Sequence, residues 1–568
     1  MARDSGRGKR PSANTHLSKK RKLDKPAKDG LAEDVLVVDV DNLRKQLDNQ
    51  GLSNGSGDAD QAEDTASASE ALPDAFTEID LTVNSISSTG DGLALSPSSN
   101  HIYVVPFTAP GDKVTAKIYK HFEQRHYSLT DLVKVLEPSS LRDDSRIKCP
   151  YFATCSGCQL QMLSYPDQLA HKKTIIEKAY RNFSSLAPGL IPPVEDIIGS
   201  PMQYGYRTKL TPHFDGPPGP RRPKPGQEKK FAEVPPIGFM KKGTRHTIDI
   251  EDCPIGTDVI RKGIKLERQR VVDQLDKYKR GATLLLREST QQIPKSDSPP
   301  SSPSSAAAQT PPSDLYTIKT TAPTHTIHKT CITDSSAIAV EHIDTHVFHT
   351  SAGSFFQNNA SILPSFTSYI RDHILPTPPP PASPNPTPPY HLIDAYSGSG
   401  LFTITLSSLF ASSTGIDISP ASIKSARHNA HLNNTPNATF IAADAAQLFA
   451  SVTTPPERTV VVIDPPRKGC DDAFLRQLLA YAPLRVVYVS CNVHTQARDV
   501  GVLVRGSAGG VRYGVEKIGG FDFFPQTGHV EGVAFLSRED GRGEVGKVAE
   551  AVGTEREGGP GDGTSYLV

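Results

Sequence analysis

Two short runs constrain this chain more than any other stretch. Val461-Val-Ile-Asp464-Pro465-Pro466-Arg467 and Tyr488-Val-Ser-Cys491-Asn492 are rich in β-branched residues and stop abruptly at reactive polar groups. Such runs read as buried parallel strands whose carboxyl ends open into a site. Three further runs share the form. His391-Leu-Ile-Asp394 leads into a Gly398-Ser-Gly400 loop, Thr414-Gly-Ile ends at Asp417, and Thr439-Phe-Ile-Ala-Ala ends at Asp444. Helical stretches separate them: Ser361 to Leu375, Leu401 to Phe410, and a helix carrying Ile423, Ala426 and Ala430 behind a Ser419-Pro420 start. Alternating strands and helices make residues 351–540 an α/β domain, a doubly wound sheet with ligands at its strand ends.

The polar ends of those strands narrow the chemistry. Asp417 follows the glycine loop by about 20 residues, the spacing at which an acid reaches ribose hydroxyls. A nicotinamide dehydrogenase is the first rival, but the third glycine of that fingerprint is missing and no phosphate anchor appears. Acids on successive strands suit a cofactor that lacks phosphates and carries positive charge. S-adenosylmethionine fits, with Asp394 and Asp417 toward its methionine and ribose ends and Asp444 toward its adenine. Enzymes that methylate an exocyclic amine place an aromatic ring after the Pro-Pro pair; here Arg467 stands there, so the expected target is carbon. Uracil C5 becomes a nucleophile only after a thiolate adds at C6, and a base must later remove the C5 proton. Cys491 is the candidate nucleophile. Glu531, in Gly528-His529-Val530-Glu531, is the candidate base, on a late strand expected to run beside that of Cys491. Cys470 is the competing thiol, because cytosine C5 methylation also uses a thiol near this loop. Gly469-Cys-Asp-Asp472 reads instead as a helix start that packs Cys470 away.

The full chain of 568 residues is too long for one core, so two to four domains are expected in it. Lys+Arg and Asp+Glu each number 62, so any nucleic-acid surface must be local. Only 36% of the chain is hydrophobic, with 48 Pro and no Trp, which implies long linkers. Residues 1–75 read as a disordered tail, basic and then acidic. Its Lys9-Arg10 and Lys19-Lys20-Arg21-Lys22 clusters resemble a bipartite nuclear localisation signal, which places the protein in the nucleus, the cytoplasm or both. Residues 76–140 carry several short strands, punctuated by Gly90-Asp-Gly92 and Pro110-Gly-Asp112, and suit a small oligonucleotide-binding-type barrel. Tyr103, Tyr119, Phe122 and Tyr127 either stack bases or fill its core. Residues 141–350 form a Cys-rich and central RNA-binding domain. Cys149, Cys155 and Cys158 make a tight thiol triplet whose fourth member is Cys253, with Cys331 the weaker choice; spacing leaves zinc and an iron–sulfur cluster both open. Tyr206–His213, Pro236–Met240, Thr283–Glu288 and His346–His349 read as strands of an antiparallel sheet. Arg207, Lys209, Lys241, Lys242 and Arg245 give that sheet a basic character. A disordered insertion is expected near 290–315, a Pro-rich one near 376–389, and a disordered tail over 541–568. No run approaches the length of a membrane span, and nothing marks an obligate protein partner.

The motifs taken together resemble the S-adenosylmethionine-dependent RNA uracil-C5 methyltransferases, in their fungal form that acts on tRNA. The resemblance rests on Ser354-Phe-Phe-Gln357, Asp394-Ala-Tyr396-Ser-Gly398-Ser-Gly400, Asp464-Pro-Pro-Arg467-Lys-Gly469, Ser490-Cys491-Asn492 and Phe524-Pro-Gln-Thr-Gly-His529-Val-Glu531. Cys149-Pro-Tyr-Phe, Cys155, Cys158 and Cys253-Pro extend it, so that it spans roughly 76–540. It implies a TRAM barrel, a central RNA-facing α+β domain and a class I, Rossmann-like methyltransferase domain. It implies that Gln357, Tyr396, Asp417 and Asp464 line the cofactor site, with Asp464 nearest the methyl group, Cys491 as nucleophile and Glu531 as proton acceptor. It implies a four-iron cluster on the four cysteines and tRNA as partner, methylated at the T-loop uridine 54. Ser397, Leu401, Val493 and Gln526 depart from the family pattern without removing a reacting group. Two other functions share the motifs: C5 methylation of uracil or cytosine in ribosomal RNA, and an RNA-folding factor with a vestigial catalytic domain.

Overall fold

The computed structural model describes residues 30–53, 72–96, 99–217, 230–295, 314–376, 390–443, 449, 452–507 and 510–539. Strands β1 (Glu78–Ile86), β2 (Gly92–Ser96), β3 (Ser99–Val105), β4 (Lys113–Phe122) and β5 (Tyr127–Glu137) close into a barrel in the order β1-β2-β3-β5-β4. Alternate residues Leu81, Val83, Val114, Ala116 and Ile118 fill its interior with Tyr103. Tyr103 and Tyr127 are therefore core residues. Phe122 is only half-buried, stacks on Tyr127 at 4.8 Å and carries Lys120 Nζ 4.3 Å from its ring centre.

The expected tail of residues 1–75 contains a helix, α1 (Ala32–Ser53). Leu36, Val40, Leu43 and Leu47 recur at helical spacing, a signal masked by the polar stretches on either side. They pack on Leu93, Ile102, Val104 and Tyr127 of the barrel, while Val35 joins the core of the catalytic domain. Burying Val35, Val40 and Leu43 contributes on the order of 5 kcal/mol, enough to hold a helix that polar neighbours cannot. The basic clusters lie outside the described residues.

After the barrel, Ser164 caps α2 (Tyr165–Phe183) by accepting from Asp167 N. The central region then builds two small sheets and a hairpin instead of one sheet. The stretch read as a single strand at Tyr206–His213 is split into β6 (Lys209–Leu210) and β7 (His213–Phe214), because Pro212 has no N–H to donate to a ladder. Strands β8 (Gly238–Met240), β9 (Thr247–Asp249) and β10 (Ala282–Thr283) join β7 in the order β10-β7-β8-β9. Strands β11 (Leu286–Pro294), β12 (Thr317–Thr321) and β13 (His325–Ile332) join β6 in the order β12-β13-β11-β6. The insertion thus begins only after Pro294. Cys331 packs under Gly263 of α3 (Asp258–Asp273), where a Cβ would meet its sulfur at 2.3 Å. Strands β14 (Ile338–Ile343) and β15 (His346–Ser351) form the hairpin that leads to α4 (Leu363–His373).

The catalytic domain follows as β16 (His391–Ala395), α5 (Leu401–Thr405), β17 (Ser412–Asp417), α6 (Pro420–Leu432), β18 (Ala438–Ala442), β19 (Thr459–Ile463), α7 (Asp472–Tyr481), β20 (Arg485–Ser490), α8 (Val493–Arg505), β21 (Arg512–Phe521) and β22 (Glu531–Glu539). Its strands lie in the order β18-β17-β16-β19-β20-β22-β21, with β22 antiparallel between β20 and β21. This is the doubly wound sheet expected. β19 and β20 are buried at every residue, which is why they read as unbroken apolar runs. Helix α5 is shorter than expected and passes into a 3-10 turn at Ser407–Leu409.

Candidate active site

Strand register brings the candidate thiol and carboxylates together. β19 and β20 run parallel with Ile463 opposite Tyr488, so Asp464 and Cys491 leave adjacent strands at the same edge of the sheet. β22 runs antiparallel to β20 with Gly532 opposite Ser490, which sets Glu531 beside Cys491. Helix α8 can start at Val493 because Asn492 caps it, accepting from His494 N at 3.2 Å. Thiol and carboxylates therefore share one cleft. Burial, then Glu531 and Asp464, push the Cys491 thiol up to about 12, and only Arg467, which hydrogen-bonds it, pulls it down. Glu531 is 2% exposed; burial, then the charge of Asp464, hold its carboxyl well above the usual range. Asp464 is raised by burial and by Asp394.

A second acidic row lies along the ends of β16 and β17. Asp394 accepts from Thr403 N at 2.9 Å and Thr403 Oγ1 at 2.6 Å through one oxygen, while its other oxygen is buried without a partner among the described residues. Burial raises its pKa to about 7. Asp417 is oriented by Gly398 N at 3.0 Å and Ser419 N at 2.7 Å. Gly398 has φ +53, and a Cβ there would meet nothing within 4 Å, so the glycine loop leaves open space above the acids. The unpartnered buried oxygen of Asp394, with Asp417 beside open space, suits a ligand that brings positive charge.

Residues 348–539 match the family described as tRNA (Uracil-5-)-methyltransferase. The chain is 41% identical over 526 residues to the tRNA (uracil(54)-C(5))-methyltransferase of Schizosaccharomyces pombe, covering 91% of this chain and 86% of that one. It is 39% identical over 475 residues to the Saccharomyces cerevisiae protein of the same name, covering 80% and 72%. The chain belongs to the tRNA (uracil-5-)-methyltransferase family. Among solved structures, Pyrococcus abyssi tRNA (uracil-54, C5)-methyltransferase in complex with S-adenosyl-L-homocysteine shares the fold, with a TM-score of 0.54 at 22% identity over 81% of this chain and 100% of that one.

In this methyltransferase the other sequence candidates are placed unequally. Gln357 is buried in the segment after β15, whose Asn359 donates to Ser200 Oγ and Phe523 O. Tyr396, at φ +66, packs its ring 5.4 Å from Phe474 and faces Cys470, on the α7 side of the sheet. Asp444 lies outside the described residues. Cys470 is buried beside Tyr488 OH at 3.8 Å, and its N donates to Asp499, as its expected packing role requires.

Several working parts escaped the sequence reading. Arg467 enters the sequence reading as a missing aromatic and as part of the Asp464-Pro-Pro-Arg467 motif, yet in the structure it is a cation beside Cys491. Its loop is wired to α8: Asn492 Nδ2 donates to Arg467 O at 2.9 Å, and Arg498 Nη2 donates to Lys468 O at 3.0 Å. Asp499 gathers Cys470 N and Tyr488 OH. The loop before Glu531 is held from α2. Lys172 pairs with Asp522, both fully buried, and Gln168 exchanges hydrogen bonds with Gln526, which sits at φ +72. The barrel reaches the same place, for Ser88 and Thr89 line a 490 Å³ cavity with Cys491, Arg467 and His529. These last contacts join segments hundreds of residues apart and leave no local signal.

The four cysteines Cys149, Cys155, Cys158 and Cys253 line one cavity of 310 Å³, which Arg467 and His529 share with the catalytic cleft. Among the described residues, no group of three or more His, Cys, Asp or Glu is drawn into metal-holding geometry. No helix among them is long and apolar enough to cross a membrane.

Proposed function

We propose that this chain transfers a methyl group from S-adenosylmethionine to C5 of uracil in tRNA, at position 54. The observation that carries the reading is Cys491 set beside Glu531 by strand pairing, with Asp464 and Arg467 in the same cleft. Asp417, Asp394, Asp464, Tyr396 and Gln357 are the residues that would hold the cofactor, which when bound supplies an electrophilic methyl on a cationic sulfur. The chain does the rest. Cys491 gives its thiol proton to solvent, and the thiolate Sγ adds to C6 of the ring and pushes electron density to C5 and O4. Once C5 carries its methyl, Glu531 takes the C5 proton, the C5–C6 double bond re-forms and the thiolate leaves. Arg467 favours the ionised forms of both groups.

Incubation with methyl-labelled cofactor and unmodified tRNA, followed by mapping of the methylated nucleotide, tests the reading. Label at uridine 54, lost in Cys491→Ala, is the expected result. Label at another nucleotide alone, or none, overturns it.

Finer features follow the same reading. The barrel serves as a TRAM-type RNA-binding module. The basic N-terminal run serves nuclear import. The four cysteines hold an iron–sulfur cluster, for which four soft thiol ligands around one cavity are the suitable donor set. Iron and acid-labile sulfide in anaerobically purified protein, absent from Cys158→Ala, check this.

A further inference from the structure

The cavity that holds Cys491 has two walls that neither catalytic loop supplies. One is the Ser88-Thr89 turn after β1, and the other is residues 30–32 at the start of α1. Its volume of 490 Å³ falls within the range of about 300–1,000 Å³ that suits a small ligand. An enzyme that does chemistry on a base takes that base out of the stack into such a pocket. What fixes these two walls therefore fixes where the ring can lie relative to the sulfur.

Gly30 is tied to the nucleophile loop. Its carbonyl accepts from Nδ2 of Asn492, the residue after Cys491, at 3.1 Å. The same nitrogen donates to Arg467 O at 2.9 Å, and the carboxamide oxygen accepts from His494 N at 3.2 Å. Both ends of the side chain next to the nucleophile are thus engaged, one of them by α1's leading segment. Gly30 has φ +65, and a Cβ there would lie 3.0 Å from Thr495 Cγ2 and 3.1 Å from Thr495 N. The close approach requires glycine.

Helix α1 holds the other wall as well. Its buried Asp39 accepts from Ser88 N at 2.5 Å, with Lys178 of α2 3.9 Å from the second oxygen. Val40 and Leu43 are buried on the barrel, and Val35 on the catalytic core. A further tie completes the ring. Gln159 Nε2 donates to Thr89 O at 2.7 Å, and Gln159 Oε1 accepts at 3.2 Å from Gly528 N, in the loop that leads to Glu531. Nucleophile loop, α1, barrel turn and Glu531 loop therefore form a closed circuit around the cavity. Bond formation is sensitive to the displacement such a circuit prevents, since a misplacement of about 1 Å can cost on the order of 100-fold in rate.

We propose that α1 is a positioning element of the methyl transfer: through Gly30 and Asp39 it fixes the Cys491 loop against the barrel turn and so sets the pocket in which the target ring meets the sulfur. The proposal rests on RNA uracil being the substrate. Asp394 and Asp417 are oriented by Thr403, Gly398 and Ser419, none of which belongs to α1, so cofactor binding does not depend on the strap.

The test compares the full-length parent with four variants on unmodified tRNA. Gly30→Val pushes the leading segment off Asn492, and Val40→Asp/Leu43→Asp lifts the helix off the barrel. Asp39→Ala releases Ser88 N, whereas Asp39→Asn keeps an acceptor for it. Single-turnover methylation at saturating tRNA should slow on the order of 10-fold in Gly30→Val and in Val40→Asp/Leu43→Asp. It should slow about 3- to 10-fold in Asp39→Ala, the net worth of one buried hydrogen bond, and stay close to the parental rate in Asp39→Asn. Affinity for S-adenosylhomocysteine, read by titration calorimetry, should be unchanged throughout, which a general loss of fold would not allow. A parental saturated rate in either Gly30→Val or Val40→Asp/Leu43→Asp overturns the proposal. Cofactor affinity that falls in step with the rate, or Asp39→Asn as slow as Asp39→Ala, also overturns it and leaves α1 a structural prop. A parent that methylates no tRNA defeats instead the functional reading beneath the proposal.

Discussion

Replacing Arg467 with Gln should slow bond formation between Cys491 and the pyrimidine without abolishing it. The guanidinium hydrogen-bonds the sulfur and lies near enough to Glu531 to favour its ionised form. A charge-assisted hydrogen bond contributes about 1.5–3 kcal/mol. Arg467 is exposed on its outer side, so water screens part of its field and about 1–2 kcal/mol remains. At about 1.4 kcal/mol per decade, the thiolate fraction at a given pH falls roughly 5- to 30-fold. The sign of the pH effect follows from the thiol. With Cys491 already raised to about 12, the reactive form is scarce at neutral pH, and the rate of attack should climb as pH rises. Loss of the cation moves that climb to higher pH by about 1 unit. The assay is single-turnover formation of the protein–RNA adduct at saturating tRNA, read on denaturing gels across neutral to alkaline pH. It is run with and without Arg467→Gln in a Glu531→Gln background, where the adduct accumulates. If Arg467→Gln raises KM for tRNA but leaves the saturated rate and its pH profile unmoved, Arg467 holds a phosphate and the reasoning here is wrong.

Other outcomes follow from the same geometry. Glu531→Gln should lower turnover by about 10²–10⁴-fold while a gel-stable adduct with tRNA builds up; parental turnover would exclude Glu531 as the base. Lys172→Met strands Asp522 in a fully buried site and should cost about 3–5 kcal/mol in denaturant unfolding. Lys172→Met/Asp522→Leu should recover part of that loss, and no recovery would show that the pair is not what the loop before Glu531 leans on. Asp394, raised by burial to about 7, contributes stability that is complete below its unfolded value near 4 and is lost as pH rises through 7, up to about 4 kcal/mol. The ligand-free protein should therefore melt at lower temperature at pH 8 than at pH 5. Asp394→Asn should reduce that slope, and an unchanged slope would place the proton elsewhere.

The catalytic sheet was legible because buried parallel strands leave an unmistakable trace: β-branched runs that end in a carboxylate or a thiol. Asp394, Asp417, Asp464 and Cys491 were found that way, and Glu531 through its motif. The closed barrel was legible from short alternating strands between glycine turns. The central region was not, since strands of two or three residues carry no period, and Pro212 divided what looked continuous. Helix α1 has the right spacing at Leu36, Val40, Leu43 and Leu47, but its apolar face acquires meaning only against Leu93, Ile102 and Tyr127, which lie from 46 to 91 residues further along the chain. The sequence by itself determined which groups can react, because side-chain chemistry is local. Tertiary structure alone decided what surrounds them. Burial raised Cys491 and Glu531 together, α8 and α2 pinned their loops, and the barrel and α1 closed the cleft, since desolvation and long-range contact belong to no single stretch of chain.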